Sequence, residues 1–354
     1  MIDANVLIPR PTLPNPVDYP PIAPVADGVD RPFFSVIIPT VNRPDFLRAV
    51  LHDVLAQGYG PDEMQICVVD NFTTNGDIAA ICREVGGDRV EYVRQPRLMS
   101  VTENWNTCLQ QSRGEYVQVL HDDMGLLPGY YDAVKAQLTG QDCKLLFGQI
   151  VTLDDKGNWR GMSQRVATTD DIADKPLQII TQPHTFIVPT MIAHRDLYEQ
   201  VGGYYNAILY GCDQEIAARL ISAAGRVGFM PKPLMTAVLH DGQSSHNFWA
   251  SPGFREGDLL AWELVISQGE TPAFRRQVYR FMSVNLAEVS QILRARGLLR
   301  MALHHAIWAY RFQPSAATFW NIIHTLLTPL IRFNKRRGRP QQRARQWIAR
   351  LRGR

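Results

Sequence analysis

Along the first half of the chain, short apolar runs alternate with stretches in which apolar residues recur at helical spacing. The runs of strand length are FFSVIIP (33–39), QICVVD (65–70), VEYVRQ (90–95) and YVQVLH (116–121), and the helical stretches cover 45–57, 77–84, 101–111 and 130–138. This alternation predicts an α/β fold with a mostly parallel sheet that is covered by helices on both faces.

The second half of the chain has a less regular rhythm. Its patterns predict strands over 144–153 and 186–193, a turn at 155–158, and helices over 213–223, 256–268, 272–295 and 298–310. Eight prolines within residues 1–32 predict an extended arm. The predicted organisation is a proline-rich N-terminal arm (1–32), a main α/β domain (33–250), a helical region (251–330) and a basic amphipathic tail (331–354).

Polar residues follow three of the predicted strands at the point where each strand ends. Thr40 and Asn42 follow the first strand, Asp70 and Asn71 the second, and His121–Asp123 the fourth. Ligands of parallel sheets gather at these carboxyl ends. Adjacent carboxylates disfavour joint ionisation unless a positive charge lies near them, so the pair predicts a divalent cation that also binds a nucleotide diphosphate. The chain has no GxxxxGK or GxGxxG loop that would indicate another phosphate site.

Charge is distributed unevenly along the chain. Fourteen of the 37 basic residues follow Glu288 and no acidic residue does, so the first 288 residues carry 23 basic and 34 acidic side chains, a net charge of −11. Five cysteines without a CxxC spacing predict neither a disulfide framework nor a zinc site, as in a reducing cytoplasm. The apolar runs are too short for a membrane span, and we expect neither export nor a spanning helix.

Several ordered motifs resemble those of the inverting family 2 glycosyltransferases, which have a GT-A fold, and the resemblance extends over residues 33–246. The motifs are SVIIPTVNRPDFLRAVLHDVLAQ, CVVDN, TENWNTCLQQSRGEYVQVLHDD, VGGYYNAILYGCDQEIAARL and VLHDGQSSHN. The resemblance implies a GT-A nucleotide-diphospho-sugar transferase fold with a C-terminal helical extension.

The resemblance also implies roles for individual residues. Asp213 matches the catalytic base, while Asp123 and His240 match ligands of a divalent cation. Because imidazole is a softer ligand than carboxylate, His240 favours Mn²⁺ over Mg²⁺. The residues implied in binding the donor nucleotide are Thr40, Asn42, Arg43, Asp70, Asn106 and Asp122. Further possible site residues are His121, Glu215, Ser244 and Ser245.

The chain departs from the family pattern, and several positions have a second interpretation. His121 and Met124 stand where the family's DxDD motif has acids, which predicts weaker metal binding, and His121 is alternatively a structural histidine bonded to backbone. Asp213 is alternatively the N-cap of its helix. Asp70 and Asn71 are alternatively the residues of an Asx turn.

The function implied is metal-dependent transfer of a sugar from a UDP- or dTDP-sugar to a glycan or lipid-linked acceptor, in cell-surface polysaccharide synthesis. The ten basic residues of 332–354, with Trp347, Ile348 and Leu351 on one helical face, predict contact with an anionic membrane at its cytoplasmic side. A solvated tail or non-specific nucleic-acid binding is the other interpretation, and we expect no specific nucleic acid. The alternative to an enzyme is a non-catalytic relative that binds nucleotide sugar or glycan.

Overall fold

The computed structural model describes residues 11–141, 143–163, 172–174, 177–181, 188–208, 210–230, 232–239, 254–269 and 271–328. Contacts between Cα atoms divide the chain into two units. One unit comprises residues 10–275, and the other comprises residues 276–354 together with residues 1–9.

The unit of residues 10–275 contains two β-sheets. Its strands are β1 (Phe34–Thr40), β2 (Met64–Asp70), β3 (Val90–Arg94), β4 (Tyr116–Val119), β5 (Met124–Leu126), β6 (Leu145–Phe147), β7 (Ile150–Asp154), β8 (Trp159–Met162), β9 (Ile172–Asp174), β10 (Ile192–His194), β11 (Arg226–Phe229) and β12 (Met235–Leu239). The larger sheet has eight strands in the order β3-β2-β1-β4-β10-β6-β11-β9, and the smaller has four in the order β5-β12-β7-β8.

Strands β1 and β2 are neighbours in the parallel part of the larger sheet, and all seven residues of each are buried. They pair in parallel from Phe34 opposite Met64 to Thr40 opposite Asp70. Strand β1 also pairs in parallel with β4, and β2 with β3, whereas β10 runs antiparallel to β4. The predicted α/β fold with a mostly parallel sheet is therefore confirmed, and the carboxyl ends of β3, β2, β1 and β4 meet at one edge.

Helices follow the strands of the first unit along the chain, and the described residues of the second unit contain further helices. They are α1 (Pro44–Leu55), α2 (Ile78–Gly86), α3 (Val101–Gln111), α4 (Tyr130–Gln141), α5 (Arg195–Val201), α6 (Cys212–Ala224), α7 (Phe254–Gly269), α8 (Pro272–Ala295), α9 (Leu299–Phe312) and α10 (316–328). Helix α1 begins at a proline, whose fixed φ angle suits the first helical position, and buries Leu47, Val50, Leu51 and Val54 along one face. Ser100 and Glu103 form a capping box at the start of α3.

The N-terminal arm contacts the segment between α5 and α6. Residues 11–32 contain no helix or strand, as predicted. The carbonyl oxygen of Pro20 accepts a hydrogen bond from the amide of Gly203 (2.8 Å), and the Ile22 side chain is buried. Arg195, the first residue of α5, donates to the carbonyl oxygen of Ala23 (3.0 Å). These contacts anchor the arm although it lacks a β ladder.

Two sequence-based strand predictions were wrong in detail. The predicted strand over 144–153 is two strands in different sheets, β6 and β7, because the chain crosses from one sheet to the other at Gly148 and Gln149. Of the predicted strand over 186–193, residues 186–187 lie outside the described residues and Val188–Thr190 form a 3₁₀ turn. Pro189 has no amide hydrogen for a ladder, and its carbonyl oxygen accepts instead from Gln118 (2.7 Å).

Gly114 packs against the backbone at the start of β1, which makes it a sensitive position. A Cβ atom there would lie 2.7 Å from both the carbonyl carbon of Phe34 and the amide nitrogen of Ser35. We expect Gly114→Ala to lower the free energy of unfolding by about 1–3 kcal/mol, measured by urea denaturation, because the backbone has to shift. The matched control is Gly140→Ala on α4, where a Cβ meets nothing within 4 Å. Equal losses in the two variants would contradict the prediction.

The unit that contains residues 276–328 consists of helices. The Ser283 hydroxyl donates to the carbonyl oxygen of Ala309 (2.8 Å), and the Ser290 hydroxyl donates to that of Ala302 (2.7 Å), so α8 and α9 are bonded along their length. On α10 four large apolar side chains are exposed: Phe319, Trp320, Leu326 and Leu327. Within the described residues, none of the helices has both the length and the apolar character needed to cross a bilayer. The predicted tail, 331–354, lies outside the described residues.

Candidate active site

The carboxylates that follow β4 are held by a single arginine. Thr40, the last residue of β1, donates its hydroxyl to Asp122 Oδ2 (2.7 Å). Arg43, which precedes α1, donates through Nη1 to Asp122 Oδ1 (3.0 Å) and to Asp123 Oδ2 (3.2 Å). Because β1 and β4 are parallel neighbours, their ends bring these four predicted site residues together. The positive charge that lies between the adjacent acids is therefore a guanidinium.

Asp122 and Asp123 differ in their surroundings. The Asp122 residue is 4% exposed, and burial raises the pKa of its carboxyl to about 6, although the Arg43 charge opposes this shift. The Asp123 side chain is 11% exposed. Asp122 is bonded to both Thr40 and Arg43, whereas Asp123 is bonded to Arg43 and has the more exposed side chain of the two, 11% against 5%.

His121 lies in an aromatic cluster. The His121 ring stacks on the Trp105 ring, with the ring centroids 5.0 Å apart. The Tyr204 ring contacts the Trp105 ring edge-on, at a centroid distance of 5.1 Å. Burial lowers the pKa of His121, which keeps the imidazole neutral. Within the described residues neither His121 Nε2 nor the Tyr204 hydroxyl has a hydrogen-bond partner. The aromatic cluster therefore contains two buried polar atoms whose hydrogen-bonding capacity is unused within the described residues.

Asp70 is buried completely and is bonded on both oxygens. Its Oδ1 accepts from the amide of Thr73 (2.8 Å), and its Oδ2 accepts from the Tyr92 hydroxyl (2.8 Å) and from Arg94 Nη1 (3.1 Å). Asn71 likewise bonds the backbone of Met99 in both directions. The bond from the Thr73 amide lies within the loop and favours the turn interpretation, the bonds from Tyr92 and Arg94 come from β3, and base recognition by Asp70 stays a prediction.

Two residues next to Asp70 were missed by sequence reasoning. Phe72 is 38% exposed and has a positive φ of 64°, and the guanidinium carbon of Arg94 lies 5.2 Å from its ring centroid. Non-glycine residues with positive φ are strained and occur often at ligand sites. Nothing in the CVVDN motif indicated Phe72, because only its backbone conformation distinguishes it.

Asn42 and Asn106, both predicted to contact the donor, organise loops. Asn42 Oδ1 accepts from the amides of Thr74 (2.8 Å) and Asn75 (3.3 Å). Asn106 Oδ1 accepts from the amide of Tyr204 (2.7 Å), and its Nδ2 donates to the carbonyl oxygen of the same residue (2.8 Å). Asn106 thereby fixes the loop that leads to α6, and donor contacts from either asparagine stay predictions.

Asp213 is the second residue of α6, and its interpretation as the N-cap is wrong. The N-cap is Gly211, whose φ of 63° lies in the left-handed region that glycine tolerates. Asp213 Oδ1 accepts from the amide of Gln214 (3.0 Å). Burial raises the pKa of Asp213 to about 6, against the helix dipole, which favours negative charge at this end. A carboxylate with a pKa near the working pH suits a general base.

Glu215 is a structural residue. It is 1% exposed, and its two oxygens accept from Nε and Nη2 of Arg219, at 2.8 Å each. The Tyr19 hydroxyl of the arm also donates to Glu215 Oε1 (2.9 Å), and the Tyr19 ring lies 3.9 Å from the guanidinium carbon of Arg219. Arg219 donates further to the carbonyl oxygen of Gly203 (2.8 Å). The pair therefore joins α6, the arm and the 201–203 turn.

His240, Ser244 and Ser245 lie outside the described residues, but the strand that leads to them ends beside the acids. Strand β12 pairs with β5, which begins one residue after Asp123, and places Ala237 opposite Met124. The amide of Val238 donates to the carbonyl oxygen of Asp123 (3.3 Å). The chain thus reaches residue 239 next to Asp123, and the role of His240 stays a prediction.

The carboxylates fit a divalent cation through few ligands. Within the described residues, no group of three or more His, Cys, Asp or Glu side chains is arranged to hold a metal ion. Asp123 can offer one carboxylate, and Mg²⁺ and Mn²⁺ commonly keep water and phosphate oxygens as their other ligands. The donor set is therefore compatible with a cation that is completed by a diphosphate.

Asp258 on α7 is a further, partly buried carboxylate near Asp213 that sequence reasoning missed. Its Oδ1 accepts from Trp262 Nε1 (2.9 Å), one helical turn along. Burial raises the pKa of Asp258 to about 7, the Trp262 bond opposes the shift and the charge of Asp213 adds to it. The spacing of four residues between Asp258 and Trp262 was a signal in the sequence for a bond along one helix face. The helix that this face packs against depends on tertiary structure and had no signal.

Comparison with known proteins finds a family model that matches nearly half of the chain. The model described as Glycosyl transferase family 2 matches residues 35–202. An uncharacterized protein of Mycobacterium tuberculosis, MT1568, is 31% identical over 140 residues, 39% of this chain and 42% of that protein. The O-antigen biosynthesis protein RfbC of Myxococcus xanthus is 26% identical over 241 residues, 61% of this chain and 18% of that protein. The chain thus spans less than half the length of either relative.

Two further comparisons cover more of the matched protein. Glycosyltransferase AglE of Haloferax volcanii is 22% identical over 241 residues, 68% of this chain and 73% of that protein. Among solved structures, S. aureus TarS 1-349 in complex with UDP-GlcNAc has a TM-score of 0.52 at 18% identity, covering 78% of this chain and 89% of that one. This structural likeness supports the GT-A fold.

Proposed function

We propose that the chain is a member of glycosyl transferase family 2, whose model matches residues 35–202, and that it transfers a sugar, with inversion, from a UDP- or dTDP-sugar to a hydroxyl of a glycan or lipid-linked acceptor. The observation that carries this proposal is the cluster of Thr40, Arg43, Asp122 and Asp123 at the carboxyl ends of β1 and β4. Ligands of open α/β sheets bind at the carboxyl ends of the strands. At this edge Arg43 offers a positive charge, and Asp123 offers a carboxylate for the cation that would accompany a nucleotide diphosphate.

In the proposed reaction Asp213 takes the proton of the acceptor hydroxyl while that oxygen attacks the anomeric carbon and the nucleoside diphosphate leaves. General base catalysis of this kind contributes about 10²–10⁴ in rate. Alignment of donor and acceptor contributes up to about 7–11 kcal/mol in well-oriented systems. Arg43 supports the reaction by holding the two aspartates in place.

We assign a divalent cation to Asp123 and His240, and prefer Mn²⁺ because His240 offers an imidazole. The cation, when bound, would neutralise charge that develops on the departing diphosphate. The course of β12, which ends beside Asp123, supports the inclusion of His240.

We place the enzyme in cell-surface polysaccharide synthesis, at the cytoplasmic side of the membrane. The name of the Myxococcus relative, an O-antigen biosynthesis protein, supports this pathway class. The exposed Phe319 and Trp320 of α10 (47% and 57%) and the basic residues of 332–354 support peripheral contact with anionic lipid. The membrane is the surface on which a lipid-linked acceptor would be found.

The second candidate is a non-catalytic relative that binds nucleotide sugar or glycan. The observation that favours it is the charge balance at the edge of the sheet. His121 and Met124 replace acids, and Arg43 already pairs with both Asp122 and Asp123. A protein of this kind would bind donor without releasing nucleoside diphosphate.

We expect UDP- or dTDP-sugars to raise the melting temperature of the protein in the presence of Mn²⁺. A ligand at a hundredfold excess over Kd stabilises the folded state by about 2.7 kcal/mol. The measurement is a thermal-shift panel of UDP-, dTDP-, GDP- and ADP-sugars, followed by assay of nucleoside diphosphate release. A shift without release would favour the non-catalytic candidate, and the absence of any shift would contradict both.

A further inference from the structure

Helix α7 brings a second carboxylate to the acceptor side of the site. A Cβ atom on Gly211, the N-cap of α6, would lie 2.9 Å from the Ala261 Cβ and 3.4 Å from Asp258 Oδ1. Glycine at this position therefore lets α7 approach the first turn of α6, where Asp213 lies. Asp258 and Ala261 are three residues apart on α7 and therefore lie on the same face of that helix, the face that contacts Gly211.

The Asp258 carboxyl is held in a fixed orientation. Its Oδ1 accepts the indole hydrogen of Trp262, which leaves its second oxygen to carry a proton. On the same helix, Glu263 belongs to a separate ion pair with Arg275 (3.0 Å). Among the described residues, the charged group that acts on Asp258 from α6 is Asp213, and Asp213 in turn faces Tyr204 and Cys212. The charged neighbour of Asp258 is thus itself an acid.

We propose that Asp258 is a positioning residue for the transfer reaction. By keeping its own proton, the Asp258 carboxyl lets the neighbouring Asp213 stay ionised as the proton acceptor. This inference rests on the proposed function. Two neighbouring acids that are both partly buried favour a state in which only one of them is ionised, because joint ionisation is repulsive and solvation is incomplete. The competent pair has Asp213 ionised and Asp258 protonated.

The pair predicts two limits to the pH range of activity. Burial raises the pKa of Asp213 to about 6, and burial together with the Asp213 charge raises that of Asp258 to about 7. Activity therefore rises as pH increases through about 6 and falls as pH increases through about 7.

The test is Asp258→Asn, whose amide still accepts from Trp262 and donates a hydrogen bond at every pH. Release of UDP from UDP-GlcNAc, or from the donor selected by the panel, is measured between pH 5 and 9 with water as acceptor. For the wild type we expect release to fall about fivefold between pH 7 and pH 8, and for the variant we expect no alkaline fall. The matched control on the same helix, Glu263→Gln, loses an ion pair and keeps the alkaline fall.

A measurement without ligand separates this inference from the proposed function. In the wild type the raised pKa of Asp258 keeps its carboxyl protonated to about pH 7 when folded, whereas the unfolded carboxyl loses its proton near the ordinary pKa of 3.8, so stability falls as pH rises from about 4 to about 7. The melting temperature of Asp258→Asn relative to the wild type therefore increases between pH 5 and pH 8. No such increase, or an alkaline fall that persists in the variant, would overturn the role of Asp258. A different outcome is that the melting-temperature difference increases as expected but no donor releases nucleoside diphosphate. The proposed function then fails, and the role of Asp258 in the transfer reaction fails with it.

Discussion

Asp213→Asn is expected to lower kcat for sugar transfer by about 10²–10⁴-fold, because the amide cannot accept the proton of the acceptor hydroxyl. The affinity for the nucleotide donor should change little, since Asp213 lies on α6 and the nucleotide contacts are proposed for the edge of the larger sheet. The measurement is the initial rate of nucleoside diphosphate release, with donor affinity from the thermal shift. In the wild type the rate should rise as pH increases through about 6, where burial sets the pKa of Asp213.

The matched control is Asp196→Asn, which changes an aspartate in the first turn of another helix, α5. Asp196 is half exposed and pairs with Lys144 at 3.6 Å, away from the aromatic cluster. This variant should keep its rate. If Asp213→Asn retains more than about a tenth of the wild-type rate, Asp213 is not the base and the mechanism needs another proton acceptor.

Asp123→Ala is expected to abolish the dependence of the rate on Mn²⁺ and to lower the rate by about 10²-fold, equivalent to roughly 2.7 kcal/mol. The physical reason is that Asp123 is the carboxylate at the strand ends that Thr40 does not engage. The rate of nucleoside diphosphate release is measured for both proteins after treatment with EDTA and after restoration of Mn²⁺.

Glu91→Ala provides a control with similar chemistry outside the site. Glu91 is the second residue of β3, far along the strand from its carboxyl end, and pairs with Arg113 at 2.6 Å. Its loss should affect stability and leave the response to Mn²⁺ unchanged. A wild-type rate that EDTA does not alter would instead assign the neutralising charge to Arg43, the cation that the structure places on both aspartates.

The parallel part of the fold was predictable because it depends on local patterns. Strands β1 to β4 are apolar runs of strand length, and the helices between them have clear starts, such as Pro44 in α1 and Ser100 before α3. The crossing of the chain from the larger to the smaller sheet at Gly148 was not predictable. One continuous apolar run supplies β6 to one sheet and β7 to the other, and only the tertiary strand pairing separates the two strands.

The site was predictable where it depends on strand ends. The convergence of Thr40, Asp122 and Asp123 follows from the parallel pairing of β1 and β4. Pairings across long stretches of chain were not: neither the bonds of Asn106 to Tyr204 nor the approach of Asp258 to α6 has a local sequence signal. Such contacts depend on how helices pack, and periodicity does not determine packing partners.

Tyr19 and Glu215 are hydrogen-bonded although 196 positions separate them in the chain. During synthesis the tyrosine leaves the ribosome long before the carboxylate exists, so the arm has no completed binding site until α6 has been made. Contacts between such distant residues form slowly, because a large loop of chain has to close first. The acceptor side of the domain is therefore expected to be among the last parts to become ordered as the protein folds.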